Sequence, residues 1–194
     1  AMIDLLEEGR NRLKQVKLKE KSLVLFLGAS GVGKSTCLNY ICGCKMIKET
    51  DPETGMTYIT AEDPVTEIGE GIYSQTFCPD ICDVNEETFS LCDCPGFFDN
   101  RGTEYMLAGA VLLRETVNAA GNVKGFVVIL DYFSLLDSRH VLLGQTARNL
   151  REMLGNYWQK QGNILFLINK IPENLAADIT DEKIRMMLLK LKEE

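Results

Sequence analysis

Apolar and polar positions along this chain fall into blocks of two recurring kinds. Continuous apolar runs occupy 22–27, where Leu23-Val24-Leu25-Phe26-Leu27 ends at Gly28, and again 125–130 and 164–168. Runs of that length, rich in Leu, Ile, Val and Phe, predict strands covered on both faces, as in parallel sheets. Between them lie segments with apolar residues at helical spacing. Residues 33–42 predict a helix with Cys37, Leu38 and Ile41 on one face, and 104–119 a helix with Leu107, Ala110, Val111, Arg114 and Val117 in register, stopped at Gly121-Asn122. Residues 139–161 place Leu143, Ala147, Leu150 and Leu154 together, and 180–194 place Ile184, Met187, Leu188 and Leu191 together. Residues 3–20 predict a leading helix with Leu6, Leu13 and Val16 on its apolar side, although Gly9 weakens it.

Two stretches break this rhythm. Residues 43–71 are rich in Gly, Pro, Thr, Asp and Glu without periodicity, which predicts a long, mobile connection rather than a packed element. Connections of that length inside a compact domain usually carry function. Residues 76–84 and 88–92 then predict a hairpin turning at Asn85-Glu86-Glu87, whose second strand runs into Asp93. The alternation of buried strands and amphipathic helices predicts an α/β fold of three layers: a mostly parallel sheet, one antiparallel edge strand, and helices on both faces. The expected organisation is a leading helix over 1–21 and one domain over 22–194.

Composition narrows the partners. Lys and Arg number 21 against 28 Asp and Glu, a net charge of −7, so the field repels a phosphate backbone and argues against nucleic acid. The seven cysteines are odd in number and scattered through apolar segments, which predicts reduced thiols in a cytoplasmic compartment. The only histidine is His140, and the cysteines lack zinc-ligand spacing. No apolar run approaches the ~20 residues of a membrane span.

The chemistry concentrates where the first strand ends. Gly28-Ala29-Ser30-Gly31-Val32-Gly33-Lys34-Ser35 matches G-x-x-x-x-G-K-[ST] in full, with a buried strand before it and a helix after it. Such a P-loop curls so that backbone N–H groups converge on phosphate oxygens at a helix N-terminus. The expected nucleotide-binding residues are Gly28, Ser30, Gly31, Val32, Gly33, Lys34, Ser35 and Thr36, with Lys34 reaching the β- and γ-phosphates and Ser35 a hard oxygen ligand for Mg²⁺. Asp93-Cys94-Pro95-Gly96 lies at the end of a sheet segment, where a carboxylate would meet the same ion and Gly96 would offer its N–H to a γ-phosphate.

Together these residues resemble the translation-factor-related class of P-loop GTPases, and within it the septin-like and immunity-associated branch with its D-x-P-G pattern. The resemblance extends over 23–170 and includes Asn169-Lys170, similar to the start of N-K-x-D. It implies a G-domain-like P-loop NTPase fold and a Mg²⁺-dependent switch that binds GTP and GDP and hydrolyses GTP. It also implies a homodimer or protein partner engaged through the switch regions. A switch threonine is implied before the second strand. Thr76, in Ser74-Gln75-Thr76, is the choice for that metal-binding and catalytic role beside Lys34, with Thr66 and Thr60 as alternatives.

Two positions depart from the pattern. Pro172 stands where the aspartate of N-K-x-D would accept hydrogen bonds from guanine, so adenine or relaxed specificity stays open, with Glu173 or Asp178 as substitute carboxylates. Phe97 follows Gly96 where many small GTPases carry a water-orienting glutamine, which predicts slow intrinsic hydrolysis, or a scaffold that turns over little. Packing is the favoured reading of the Phe97-Phe98 pair, and Arg101, Arg139 and His140 are given no catalytic role. The chain ends one helix after Asn169-Lys170, which predicts a domain cut short there or a base site completed differently.

Overall fold

The computed structural model describes residues 2–55, 57–69, 76–84, 88–136, 141–154, 163–176 and 182. Helix α1 (Met2–Lys14) leads through a 3-10 turn (Leu18–Glu20) into β1 (Ser22–Leu27), followed by α2 (Lys34–Ile41). A hairpin of β2 (Met46–Thr50) and β3 (Thr57–Ala61) comes next, then β4 (Asp80–Asp83) and β5 (Ser90–Asp93). Helix α3 (Thr103–Ala119), β6 (Asn122–Asp131), the short α4 (Tyr132–Leu136), α5 (Val141–Leu154), β7 (Ile164–Asn169) and α6 (Glu173–Ala176) complete the described elements.

Five strands form one sheet in the order β4-β5-β1-β6-β7. Strand β1 pairs in parallel with β5 and β6, and β6 with β7, while β4 runs antiparallel on β5 at the edge. This is the G-domain-like P-loop NTPase architecture that the sequence predicts. Alternate residues of the central strand serve the two faces. Leu23, Leu25 and Leu27 join Leu113 of α3, Leu135 of α4 and Leu143 and Leu150 of α5 in one core. Phe26 packs on the opposite face with Leu38 of α2, Leu91 and Ile129. A third cluster joins Leu13 of α1 to Leu112 of α3 and to Phe77 and Cys78. Because α3 is sandwiched between the sheet and α1, its buried residues are Ala108, Gly109, Leu112, Leu113 and Thr116. The expected stripe is rotated: Leu107 and Val111 are exposed, and Ala110, Arg114 and Val117 line a cavity of about 640 Å³ between α3, α5 and residues 95–99.

Other expectations are corrected in detail. Residues 43–71 do not form one unstructured connection. They contain the antiparallel pair β2–β3, with Lys48 opposite Ile59 and Glu49 opposite Tyr58, turning where Asp51 Oδ1 accepts the N–H groups of Glu53 and Thr54. This two-stranded ladder stands apart from the main sheet and is largely exposed, so its side chains carry too little apolar periodicity to announce it. In α2, Ile41 is exposed and Asn39 is fully buried in its place. In α5, Thr146 rather than Ala147 faces inward, its hydroxyl bonded back to the Leu142 carbonyl at 2.8 Å. The turn at 85–87, residues 155–161 of the expected fifth helix, Arg139, His140, Asp178 and, apart from Glu182, the segment 180–194 lie outside the described residues.

Candidate functional site

The site assembles at the C-terminal edge of β1, β5 and β7. Beyond Leu27, the chain runs parallel to the segment that follows β5, Phe97 N–H donating to Gly28 O at 3.0 Å and Ser30 N–H to Phe97 O at 2.8 Å. The P-loop and the segment after Asp93 are thus joined by backbone bonds. Their approach demands glycine at 96, since a Cβ there would lie 2.7 Å from Ser30 Cα and 2.8 Å from Ser30 N. Gly33 adopts φ 92 at the N-cap of α2, and a Cβ there would meet Asn169 Nδ2 at 2.5 Å. The first-turn N–H groups of α2 have no intrahelical partners, as at any helix start, and form the anion-attracting end of the site.

Lys34 is buried, its ammonium donating to the Ala29 carbonyl at 2.9 Å and the Gly28 carbonyl at 3.3 Å. Burial pushes its pKa down, partly opposed by the charge of Asp93. Asp93 is completely buried at the end of β5, and burial pushes its carboxyl up, opposed first by its hydrogen bond from Ser35 and then by Lys34. Three hydroxyls converge on one of its oxygens: Ser35 at 2.5 Å, Thr66 at 3.2 Å and Thr76 at 3.5 Å from Oδ2. Ser35 and Thr76 are themselves 3.5 Å apart. The other oxygen, Oδ1, is the one buried side-chain polar atom without a hydrogen-bond partner among the described residues. A buried carboxylate oxygen with nothing to accept from is costly unless a cation or water meets it. With hydroxyl and carboxylate oxygens as the donor set, these residues fit a hard divalent cation such as Mg²⁺.

Expected residues therefore meet in one place, with refinements. Thr76 and Thr66 both reach Asp93, whereas Thr60 lies in β3 opposite Ile47. Ser30, expected to face phosphate, spends its N–H on Phe97. Val32 is buried in the core, Thr36 and Gly33 are half-buried, and Gly31 is exposed on the loop. Asn169 donates from Nδ2 to the Val32 carbonyl at 2.8 Å, tying the end of β7 to the P-loop. Lys170, at φ 60, lies half-exposed with its ammonium 3.5 Å from Asp131 Oδ2. Beyond it, Pro172 accepts from Leu175 N–H at 2.9 Å and α6 begins at Glu173, which is exposed.

Phe97 and Phe98 pack on opposite cores, Phe97 against the α3–α5 side and Phe98 against the α2 side, so packing accounts for the pair. Arg101 holds the buried Asp99 with Nε at 3.0 Å from Oδ1 and a terminal nitrogen at 2.6 Å from Oδ2, its guanidinium 4.3 Å from the Tyr105 ring centre. Sequence reasoning missed Asn39. Its side chain donates to the carbonyls of Ser35 and Thr66 and accepts from Val65 N–H. The available signal was a helix-interior asparagine beside Leu38, at a position where asparagine is a poor helix former.

Among solved structures, the chain is similar to the cytosolic domain of the T. maritima FeoB iron transporter in apo form, at 14% identity over 89% of this chain and 64% of that chain, TM-score 0.32. It is also similar to the same domain in a GDP form, at 16% identity over 77% of this chain and 56% of that chain, TM-score 0.32. A third is the cytosolic domain of L. pneumophila FeoB, at 12% identity over 87% of this chain and 68% of that chain, TM-score 0.32. The chain thus spans under two thirds of the first two. No curated protein matches. Among the described residues, no helix is long and apolar enough to cross a membrane. The family model described as 50S ribosome-binding GTPase matches residues 23–170, which include the P-loop, Asp93-Cys94-Pro95-Gly96 and Asn169-Lys170, so this chain belongs to that family of GTP-binding proteins.

Proposed function

We propose that this chain is a Mg²⁺-dependent guanine-nucleotide switch with slow intrinsic GTP hydrolysis, of the septin-like and immunity-associated kind, built on 22–194 with the helix of 1–21 packed beside it. The observation that carries it is the meeting of Ser35, Thr66 and Thr76 on one oxygen of Asp93 while the other oxygen is left without a partner. Ser35, Thr76 and Asp93 would hold the ion, which supplies charge neutralisation to the β- and γ-phosphate oxygens when bound.

The chain's own residues supply the rest. Gly31 to Thr36 offer N–H groups to phosphate, and Lys34 exchanges its two carbonyl partners for phosphate oxygens, regaining a counter-charge for a buried ammonium. In hydrolysis, a water oxygen bonds to the γ-phosphorus, the bond from that phosphorus to the bridging oxygen breaks, and GDP and inorganic phosphate leave. Gly96, held against Ser30, is where a γ-phosphate would be sensed. Phe97 offers no group to orient the attacking water, and its ring is engaged in the core, which supports slow turnover. Asn169 braces the P-loop, and Lys170 would lie along the base.

A second reading is a nucleotide-controlled scaffold, assembling through its switch regions as a homodimer or with a protein partner; Phe97 favours it. Pro172 favours relaxed or adenine specificity. The seven free cysteines support a reducing, cytoplasmic setting, and the net charge of −7 speaks against nucleic acid. Calorimetric titration of nucleotide-free protein with GDP, GTPγS, ADP and ATPγS, with and without Mg²⁺, tests the assignment. Guanine-selective binding strengthened by Mg²⁺ is expected; tighter adenine binding would end it. A hydrolysis rate per subunit that rises with protein concentration would join the switch and scaffold readings.

A further inference from the structure

Thr66 stands in sequence well before Thr76, yet it is the more deeply buried of the two and lies closer to Asp93. Both backbone groups of Thr66 are bonded to one buried side chain. Asn39, with no exposed surface, sits one helical turn after Ser35 on α2 and donates from Nδ2 to Ser35 O at 2.9 Å and to Thr66 O at 2.8 Å. Its Oδ1 accepts from Val65 N–H at 2.7 Å and Thr66 N–H at 3.4 Å. The Asn39 main-chain carbonyl accepts from Cys44 N–H at 3.0 Å. One residue therefore grips both ends of the excursion from 44 to 66 that contains the β2–β3 hairpin. That excursion is closed below the hairpin by the bond from Glu62 N–H to Lys45 O at 2.9 Å.

We propose that Asn39 is a positioning residue that clamps Thr66 onto the Asp93 carboxylate, so that the divalent-ion site is read by residues 62–69 as well as by Thr76. The inference rests on the Mg²⁺-dependent reading above and deepens it. A buried amide that satisfies four backbone groups, besides accepting from Cys44 Sγ at 3.5 Å, is specific in direction, because its oxygen and nitrogen cannot exchange places without losing those four bonds. With Oδ2 held by three hydroxyls, Asp93 keeps one orientation and presents Oδ1 to the ion. Fixing the carboxylate before the ion arrives removes the cost of ordering it on binding. Ion binding in turn steadies Thr66, and through Asn39 the root of the exposed hairpin.

The test is Mn²⁺ titration of the GDP complex, followed by electron paramagnetic resonance, in wild type, Thr66→Val, Thr66→Ser and Asn39→Ala. Thr66→Val keeps the shape and removes the hydroxyl; it is expected to weaken Mn²⁺ about tenfold, equivalent to about 1.4 kcal/mol. Thr66→Ser is expected to stay within about twofold of wild type. Asn39→Ala should weaken Mn²⁺ similarly, and combining it with Thr66→Val should cost little more than either alone. Amide exchange in 57–69 should slow on adding Mn²⁺ to the wild-type GDP complex and not in Thr66→Val. Equal Mn²⁺ affinity in Thr66→Val and wild type would overturn the proposal, as would equal weakening by Val and Ser, since packing alone would then explain the site. If Asn39→Ala does not fold, the Val and Ser pair still decides the role of Thr66, and Asn39→Asp, which keeps an acceptor for Val65 and Thr66 N–H and loses both Nδ2 bonds, decides the clamp: weaker Mn²⁺ is expected, and wild-type affinity would overturn it. A wild-type GDP complex indifferent to Mn²⁺ would overturn the ion reading and this inference with it, and failure to bind GDP at all would overturn the nucleotide reading instead.

Discussion

The two ends of the site are built to different standards. At the end proposed for phosphate and ion, Lys34, Asp93, Thr66 and Asn39 are all buried, and main-chain bonds tie the P-loop to Phe97. At the end proposed for the base, Lys170 is half-exposed, Glu173 is exposed, and Pro172 offers no side-chain acceptor. Electrostatic contacts in a buried setting are strong and direction-sensitive, whereas contacts made in water are worth little. The contrast teaches that binding energy here should be concentrated on phosphate and ion, with the base contributing modest discrimination. Asn169 links the two ends, because it closes β7 just before Lys170 and bonds to the P-loop carbonyl of Val32.

The largest expected effect tests the buried end. Lys34→Ala removes the ammonium proposed to serve the phosphates and should weaken GDP and GTPγS by about a hundredfold, following from ~3 kcal/mol for charge-assisted bonds. Calorimetry checks it; an unchanged affinity would remove the P-loop from the account. Next comes Gly96→Ala. Its Cβ would press on the Ser30 backbone, which cannot yield as a flexible side chain would. Displacing the 96–98 segment should weaken GTPγS roughly tenfold and GDP less, for a strain of about 1–3 kcal/mol. Equal loss for both nucleotides would mean that Gly96 does not sense the γ-phosphate. The smallest effect lies at the junction: Asn169→Ala gives up one neutral hydrogen bond, worth about 1 kcal/mol, and should weaken every nucleotide roughly fivefold. A selective loss of guanine binding instead would assign Asn169 to the base and sharpen the division between the two ends.

The strands at 22–27 and 164–168, the P-loop and Asp93 were legible because each is a local pattern: an apolar run, a glycine spacing, or a carboxylate at a strand end. The burial expected of 164–168 on both faces is corrected, since β7 is an edge strand with Leu165 and Phe166 exposed. The hairpin at 46–61 was not, because it is held by its own ladder and the Asp51 turn rather than by an apolar face on the core. The face of α3 was misread because two neighbours, the sheet and α1, bury different sides of the same helix. Asn39 was overlooked for a related reason, since its side-chain partners lie on two segments, one before and one after the hairpin.

What the sequence by itself determined is the class of fold and the phosphate-binding chemistry, since both follow from side-chain periodicity and short-range spacing. Only the tertiary structure decided which threonines meet Asp93, that Ser30 is joined to Phe97, and that Asn39 holds Thr66 in place. Hydrogen bonds between residues distant in the chain depend on how strands and loops are brought side by side, and no local pattern encodes that.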